Sequence, residues 1–300
     1  MTARLRLTAL AAAFLAAPVQ AQNLVSNGRF DANIAGWQQF GQIGQFGQAA
    51  HHPSDANGSS TSGSLEATNV IPDIVGSMFV VEQCVNVVVA ASYTFRAKAF
   101  IPSGQVQSGS ADLVLTRLAG ANCSGATLST TIVASSSQLD AWSTLTSPVT
   151  LPAGTASVLV RLVSRKTQTD GSFRVRFDDV FFGEACSLDA ETLCVNGHRF
   201  GVRAGWQIRS GVSGAGRPIP LTSDTGYFWF FSPANVEAVV KVINGCGVNG
   251  RYWVFAGGLT DVKVDLTVTD FETGAVKTYT NPQGKAFQPI QDTSAFATCP

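Results

Sequence analysis

The sequence is poor in the groups that carry most enzyme chemistry. Its 300 residues include three histidines (His51, His52, His198), two methionines and four tyrosines. No HExxH pair and no GxSxG elbow occurs, which removes the commonest metallohydrolase and serine-hydrolase signatures. The six cysteines form no CxxC pair, and with so few histidines a zinc site is not expected. Charge of either sign is scarce: 13% of residues are charged, and Lys+Arg equals Asp+Glu at 20 each. A nucleic-acid binder shows a basic excess, and none exists here. No block of like charge suggests a solvated tail or a membrane-surface patch. Beyond the first residues there is no sustained 3.6-residue stripe, and no apolar run reaches the roughly 20 residues of a membrane helix.

What is present begins with a targeting pattern. Arg4 and Arg6 precede an apolar run, Leu7 to Ala17, and small residues at Val19 and Ala21 frame a cleavage site. Residues 1–21 therefore read as a signal peptide, with an uncleaved anchor as the alternative. The run is too short to span a bilayer. An even number of cysteines in an exported chain suggests disulfides. Cys84–Cys123 is the simplest pairing in the first half. Cys186, Cys194, Cys246 and Cys299 allow three connectivities; Cys186–Cys194 with Cys246–Cys299 is favoured because the former closes a short local loop.

From Asn23 to about Gly183 the chain reads as short strands separated by Gly, Ser, Pro and Asn clusters. Residues 92–100, 112–118, 157–162 and 173–177 alternate apolar and polar side chains, the period of a half-buried strand. A boundary is expected near Gly183 to Leu193, where two cysteines bracket the junction. Beyond it, 226–231, 236–242, 251–255 and 262–268 renew the pattern, with turns at Gly257-Gly258 and Glu272-Thr273-Gly274. The expected class is all-β: a jelly-roll β-sandwich over 22–185 and a smaller immunoglobulin-like sandwich over 186–300.

Two motifs carry a resemblance. Asn23-Leu24-Val25-Ser26-Asn27-Gly28-Arg29-Phe30-Asp31, followed by Gly36-Trp37, resembles the opening of carbohydrate-binding modules of the family 4/9-like (CenC-type) jelly-roll group. Phe177-Asp178-Asp179-Val180-Phe181-Phe182 resembles its closing "D-D-V-x-L" strand. Asp31 stands where Glu is commoner. The second half resembles a segment that recurs at the C-termini of exported bacterial proteins, through Leu193-Cys194-Val195-Asn196, the 220–231 stretch and 257–262.

The resemblance implies a structural calcium ion between first and last strands. Strict alternation puts Asp178 on the core face with Val180 and Phe182, where a carboxylate needs a partner, and Asp31 would approach from the first strand. It also implies a sugar platform. Phe40, Phe46, Phe79, Phe95 and Phe100 are the available rings, with His51, His52, Gln83 and Arg96 as polar partners; Trp37 and Trp142 are expected in the core. The expected ligand-binding set is Phe40, Phe46, His51, Phe95 and Arg96. In the second half, Tyr227, Trp229 and Phe231 share one strand face and Phe228 and Phe230 the other. One face must fill a core; covering of the other by the first domain is preferred over an exposed surface for a protein partner.

No catalytic set emerges. A glycosidase needs two separated carboxylates, and Asp178 and Asp179, adjacent on a strand, point opposite ways. Asp224, Asp261, Asp265 and Asp270 read as turn residues. The expectation is an exported bacterial binding protein, not an enzyme, contacting polysaccharide or cell-surface glycan. A structural or adhesive protein is the first alternative, and an unrecognised glycoside hydrolase the second.

Overall fold

Alternating side chains become strands as expected, and a computed structural model describes them over residues 23–40, 45–89 and 92–299. The stretch read as a signal peptide, 1–21, lies outside the described residues. The first sandwich contains β1 (Gln38–Phe40), β2 (Gly47–His52), β3 (Ser64–Asn69), β4 (Met78–Asn86) and β5 (Tyr93–Phe100). It continues with β6 (Gly109–Leu118), β7 (Thr127–Ser136), β8 (Ser143–Val149), β9 (Ser157–Lys166) and β10 (Phe173–Glu184). Two antiparallel five-stranded sheets result, ordered β1-β4-β9-β6-β7 and β2-β3-β10-β5-β8. This is the jelly-roll sandwich.

Burial follows the two-residue period. In β5, Tyr93, Phe95, Ala97 and Ala99 turn inward, while Thr94, Arg96, Lys98 and Phe100 turn outward and stay half-buried. In β9, Val158, Val160 and Leu162 meet them from the opposite sheet. Trp37 is core, as expected.

The opening motif is a fastener. The Asn23 amide donates to Val180 O at 2.9 Å and accepts from Phe182 N at 3.0 Å. Leu24 N donates to Phe182 O, and Val180 N to Gly28 O, both at 2.8 Å. A Cβ on Gly28 would lie 2.2 Å from Val180 O, so only glycine permits this approach. The first segment is thus sewn to the last strand, and the motif reports the fold.

The second sandwich follows with β11 (Thr192–Val195), β12 (Phe200–Gln207), β13 (Ser213–Ala215), β14 (Arg217–Pro220), β15 (Thr225–Trp229) and β16 (Ala238–Gly245). A single helical turn, α1 (Cys246–Asn249), precedes β17 (Arg251–Gly258), β18 (Lys263–Asp270), β19 (Val276–Asn281) and β20 (Ile290–Phe296). One sheet runs β11-β12-β18-β19, with β13 paired to β12; the other runs β14-β15-β16-β17-β20. Separate hydrophobic clusters fill the two sandwiches, one from Val25 to Phe182 and the other from Leu193 to Phe296. Disulfides join Cys84–Cys123, Cys186–Cys194 and Cys246–Cys299. Among the described residues no helix is long and apolar enough to cross a membrane.

An ionic cluster links the sandwiches. Arg199 and Asp270 are buried at 3% and 0% side-chain exposure. Two parallel hydrogen bonds of 3.1 and 2.9 Å join them. Arg199 also donates to Tyr252 OH at 2.9 Å and pairs with Glu272 at 3.0 Å. Glu272 in turn accepts from Arg96 of the first sandwich.

Candidate functional site

The outward side of the β2-β3-β10-β5-β8 sheet gathers the groups suited to recognition. Cross-strand register sets Phe100 beside Arg176, and Arg176 beside Glu66. Arg176 Nε donates to Glu66 Oε2 at 2.9 Å, and its guanidinium lies 5.4 Å from the Phe100 ring centroid. Trp142, just before β8, meets Phe100 with ring centroids 5.5 Å apart. His52 stands near the Arg176–Glu66 pair, its pKa lowered first by burial and then by the Arg176 charge. One row on, Lys98 faces Thr144, and in the next Arg96 faces Thr146. Four residues of extended chain put the Arg96 row about 13 Å from the Phe100 row.

At that far end the face runs under the second sandwich. A cleft of about 650 Å³ has Thr94, Arg96, Lys98, Thr144, Thr146 and Pro148 on its floor. Asn196, Gly197, His198, Arg199, Asn244 and Tyr252 form its opposite wall. Burial, and then the neighbouring Arg199 charge, lower the pKa of Arg96. Both guanidinium groups are drawn to Glu272.

The expected ligand set is only partly assembled here. Arg96 lines the cleft. Phe95 does not: it is fully buried, because the β5 alternation turns it inward next to Phe182. Phe79 is likewise core. Phe40, 67% exposed, sits on β1 of the other sheet. Phe46 is half-buried just before β2. His51 is exposed, with Nε2 hydrogen-bonded to Phe30 O at 2.9 Å. None of these three lines the cleft with Arg96.

The corresponding miss is Trp142, expected in the core and found outside the buried cluster. Its parity carried the signal. Leu145 and Val149 are buried while Thr144, Thr146 and Pro148 are exposed, so Trp142 belongs to the outward register.

Asp178 also departs from strict alternation. A β-bulge interrupts the β5–β10 ladder between Asp178 and Phe181, and Asp179 takes φ +47°. Phe173, Val175 and Phe177 face the core before it, and Val180 and Phe182 after it, so the bulge changes the strand's phase by one residue. Asp178 is 1% exposed. Its oxygens accept from Ala56 N at 2.8 Å and Asp179 N at 2.7 Å. Burial pushes its carboxyl up to about 8, opposed by the Ala56 N–H and reinforced by the Asp179 and Asp55 charges. No Lys or Arg pairs with it among the described residues. Asp31 is exposed, accepts from Ser62 Oγ at 2.8 Å and lines a polar cavity of about 410 Å³ with Asp55 and Asp179. Among the described residues no three His, Cys, Asp or Glu side chains are grouped so as to hold a metal ion.

In the second sandwich Phe228 and Phe230 fill the core. Tyr227 and Trp229 stay half-exposed on the outer side, with Trp253 and Phe255 across the sheet. Covering by the first domain was the preferred expectation, yet none of these four lines the cleft between the sandwiches. Phe231 leaves their face because β15 ends at Trp229; it packs instead on the edge of Trp206, centroids 4.8 Å apart. The carboxylates here are engaged separately. Asp270 pairs with Arg199, Asp265 with Thr280 and Lys263, and Asp224 with Thr222 and Thr225.

No protein-family model matches the chain, and no curated protein does. Among solved structures, it is similar to the enzymatically active domain of bacteriophage CBA120 tailspike protein 4, at 14% identity and TM-score 0.39, covering 54% of this chain and 21% of that one. It is similar to the CBM22-2 xylan-binding domain of Paenibacillus barcinonensis Xyn10C, at 14% identity and TM-score 0.36, covering 52% and 95%. It is also similar to the K1 cleaved adhesin domain of Lys-gingipain from Porphyromonas gingivalis W83, at 15% identity and TM-score 0.33, covering 51% and 94%. At these identities and scores the likeness carries no argument about a ligand.

Proposed function

We propose that this is an exported, non-catalytic protein that binds glycan on the outward face of the β2-β3-β10-β5-β8 sheet. The observation that carries the reading is the Phe100–Trp142 ring pair beside the Arg176–Glu66 ion pair. Sugars present C–H faces to aromatic rings and hydroxyls to planar polar groups, and this face offers both. The floor that continues from it is hydroxyl- and amine-rich: Lys98, Thr144 and Thr146. Pockets of about 300–1,000 Å³ suit small ligands. Three disulfides fit an oxidising compartment.

The test is retardation of the full chain in native gels containing soluble xylan, mixed-linkage β-glucan, mannan or pectin. Loss of a stacking ring costs on the order of 1–3 kcal/mol by analogy with base–aromatic stacking, so Trp142→Ala should weaken retardation about tenfold or more. Equal retardation of wild type and Trp142→Ala would move the site elsewhere.

A second reading has its own observation. Tyr227, Trp229, Trp253 and Phe255 form a half-exposed aromatic face on the second sandwich, suited to a protein partner in a structural or adhesive role.

We also propose that Asp31 and Asp178 help to hold a structural calcium ion. A buried carboxylate with two acidic neighbours and, among the described residues, no cationic partner fits a bound cation, and backbone carbonyls would complete the shell. Bound there, calcium would offset the charge of Asp178. At a hundredfold excess over Kd a ligand stabilises by about 2.7 kcal/mol. Chelation should therefore lower the first sandwich's melting midpoint by about 5–10 °C. An unchanged midpoint with no metal by elemental analysis would remove the ion.

A further inference from the structure

The second sandwich contributes more than a neighbour to the cleft. The connection from β11 to β12 places three successive residues in the left-handed region: Asn196 at φ +54°, Gly197 at +63° and His198 at +68°. Glycine adopts this freely and Asn tolerates it, but for His198 it is strained backbone, which persists only where its surroundings over-determine it. They do so here. Asn196 N donates to Ser223 O, and its side-chain amide to Val242 O, both at 2.6 Å. Cys186 N donates to His198 O at 2.9 Å. The His198 ring returns the contact through Nδ1 to Cys186 O at 2.8 Å. Cys186 is itself bonded to Cys194 at the end of β11.

This bracing fixes which polar groups remain unspent. Cys186 O can only accept, so His198 Nδ1 carries a proton, and in the neutral imidazole Nε2 is then an acceptor. Asn196 has spent one amide N–H on Val242 and keeps Oδ1 as an acceptor, with its second N–H unused. Asn244 Oδ1 takes Cys246 N at 3.0 Å, which leaves its amide N–H₂ as a donor. Opposite them, Lys98 lines the same cleft, and no hydrogen bond or ion pair engages its ammonium among the described residues. A Cβ on Gly197 would meet no atom within 4 Å, so the crest of the turn borders open space.

We propose that the Asn196–Gly197–His198 turn, with Asn244, is the second half of a composite glycan site. It would read the hydroxyl groups of a neutral oligosaccharide lying along β5 and β8. A hydroxyl donates and accepts at once, and the cleft offers acceptors at His198 and Asn196 and donors at Asn244 and Lys98. This rests on the glycan reading above. It adds that recognition requires both sandwiches, and that the strained turn is held rigid for that purpose.

The experiment uses the full chain in the same four polysaccharide gels, comparing wild type, Trp142→Ala, His198→Asn and Asn244→Ala. Asparagine at 198 keeps a residue tolerant of left-handed backbone and removes the imidazole acceptor. On whichever polysaccharide retards wild type, His198→Asn should weaken retardation about tenfold and Asn244→Ala several-fold, with the melting midpoint of Asn244→Ala unchanged. Should His198→Asn melt early, Asn244→Ala, altered at an exposed side chain, decides the matter. If wild type is retarded, Trp142→Ala is not, and both second-sandwich variants stay within twofold of wild type, the composite site is wrong and the glycan reading stands. If none of the four polysaccharides retards wild type, the glycan reading falls, and this inference with it.

Discussion

Replacing Arg199 with methionine probes the bond network that closes the second sandwich against the first. The side chain is 3% exposed and compensates Asp270, which is fully buried. Without Arg199, the Asp270 carboxylate keeps, among the described residues, only the 2.9 Å hydrogen bond from Glu272 N. Tyr252 OH loses a charged donor, and Glu272 keeps Arg96 alone. Removing one partner of a buried ion pair typically costs about 3–5 kcal/mol, because the other charge stays desolvated and unpaired. For a domain near a hundred residues each kcal/mol moves the midpoint by roughly 4 °C or more, so the second sandwich should melt about 12–20 °C earlier. Differential scanning calorimetry reads this directly, since two sandwiches with separate cores can give two transitions. The companion variant Arg199→Met with Asp270→Leu removes both charges and should recover most of the loss. A single substitution costing under about 1 kcal/mol, or a double variant no better than the single, would refute the view that these groups compensate each other.

Two further outcomes test the frame. Gly28→Ala drives a methyl to 2.2 Å from Val180 O and should destabilise the first sandwich by about 1–3 kcal/mol, measured by urea unfolding; no loss would mean that the opening motif does not fasten the last strand. The disulfide loops span 39, 8 and 53 residues, so chain-entropy bookkeeping assigns losses of about 4, 2.5 and 4 kcal/mol to Cys→Ser pairs at 84/123, 186/194 and 246/299. Denaturant midpoints should rank the 186/194 pair as mildest, and a reversed order would contradict that model.

Much of the frame was legible in the sequence because burial in a sandwich has a period of two. The stretches 92–100, 157–162 and 262–268 anticipate β5 (Tyr93–Phe100), β9 (Ser157–Lys166) and β18 (Lys263–Asp270). The site was less legible for three physical reasons. Parity tells which residues share a face, but Trp142 was placed by the burial habit of its residue type rather than by its phase with Thr144 and Thr146. A bulge adds one residue without altering composition, so Asp178 and Asp179 gave no sign that the strand changes phase between Phe177 and Val180. Long-range pairing is silent in a single sequence: Asp270 looked like a turn carboxylate until Arg199, 71 residues away, was found against it. The same limit hid the cleft, whose floor and wall come from segments about a hundred residues apart.

Glycan binding across both sandwiches is read most directly by hydrogen–deuterium exchange on the full chain, with and without the polysaccharide that retards it most. New protection is expected in 94–100, 142–148 and 174–178, with a further increment at 196–198. Protection confined to 225–229 and 251–258, the aromatic face of the second sandwich, would contradict the glycan reading and place recognition on a surface suited to a protein partner.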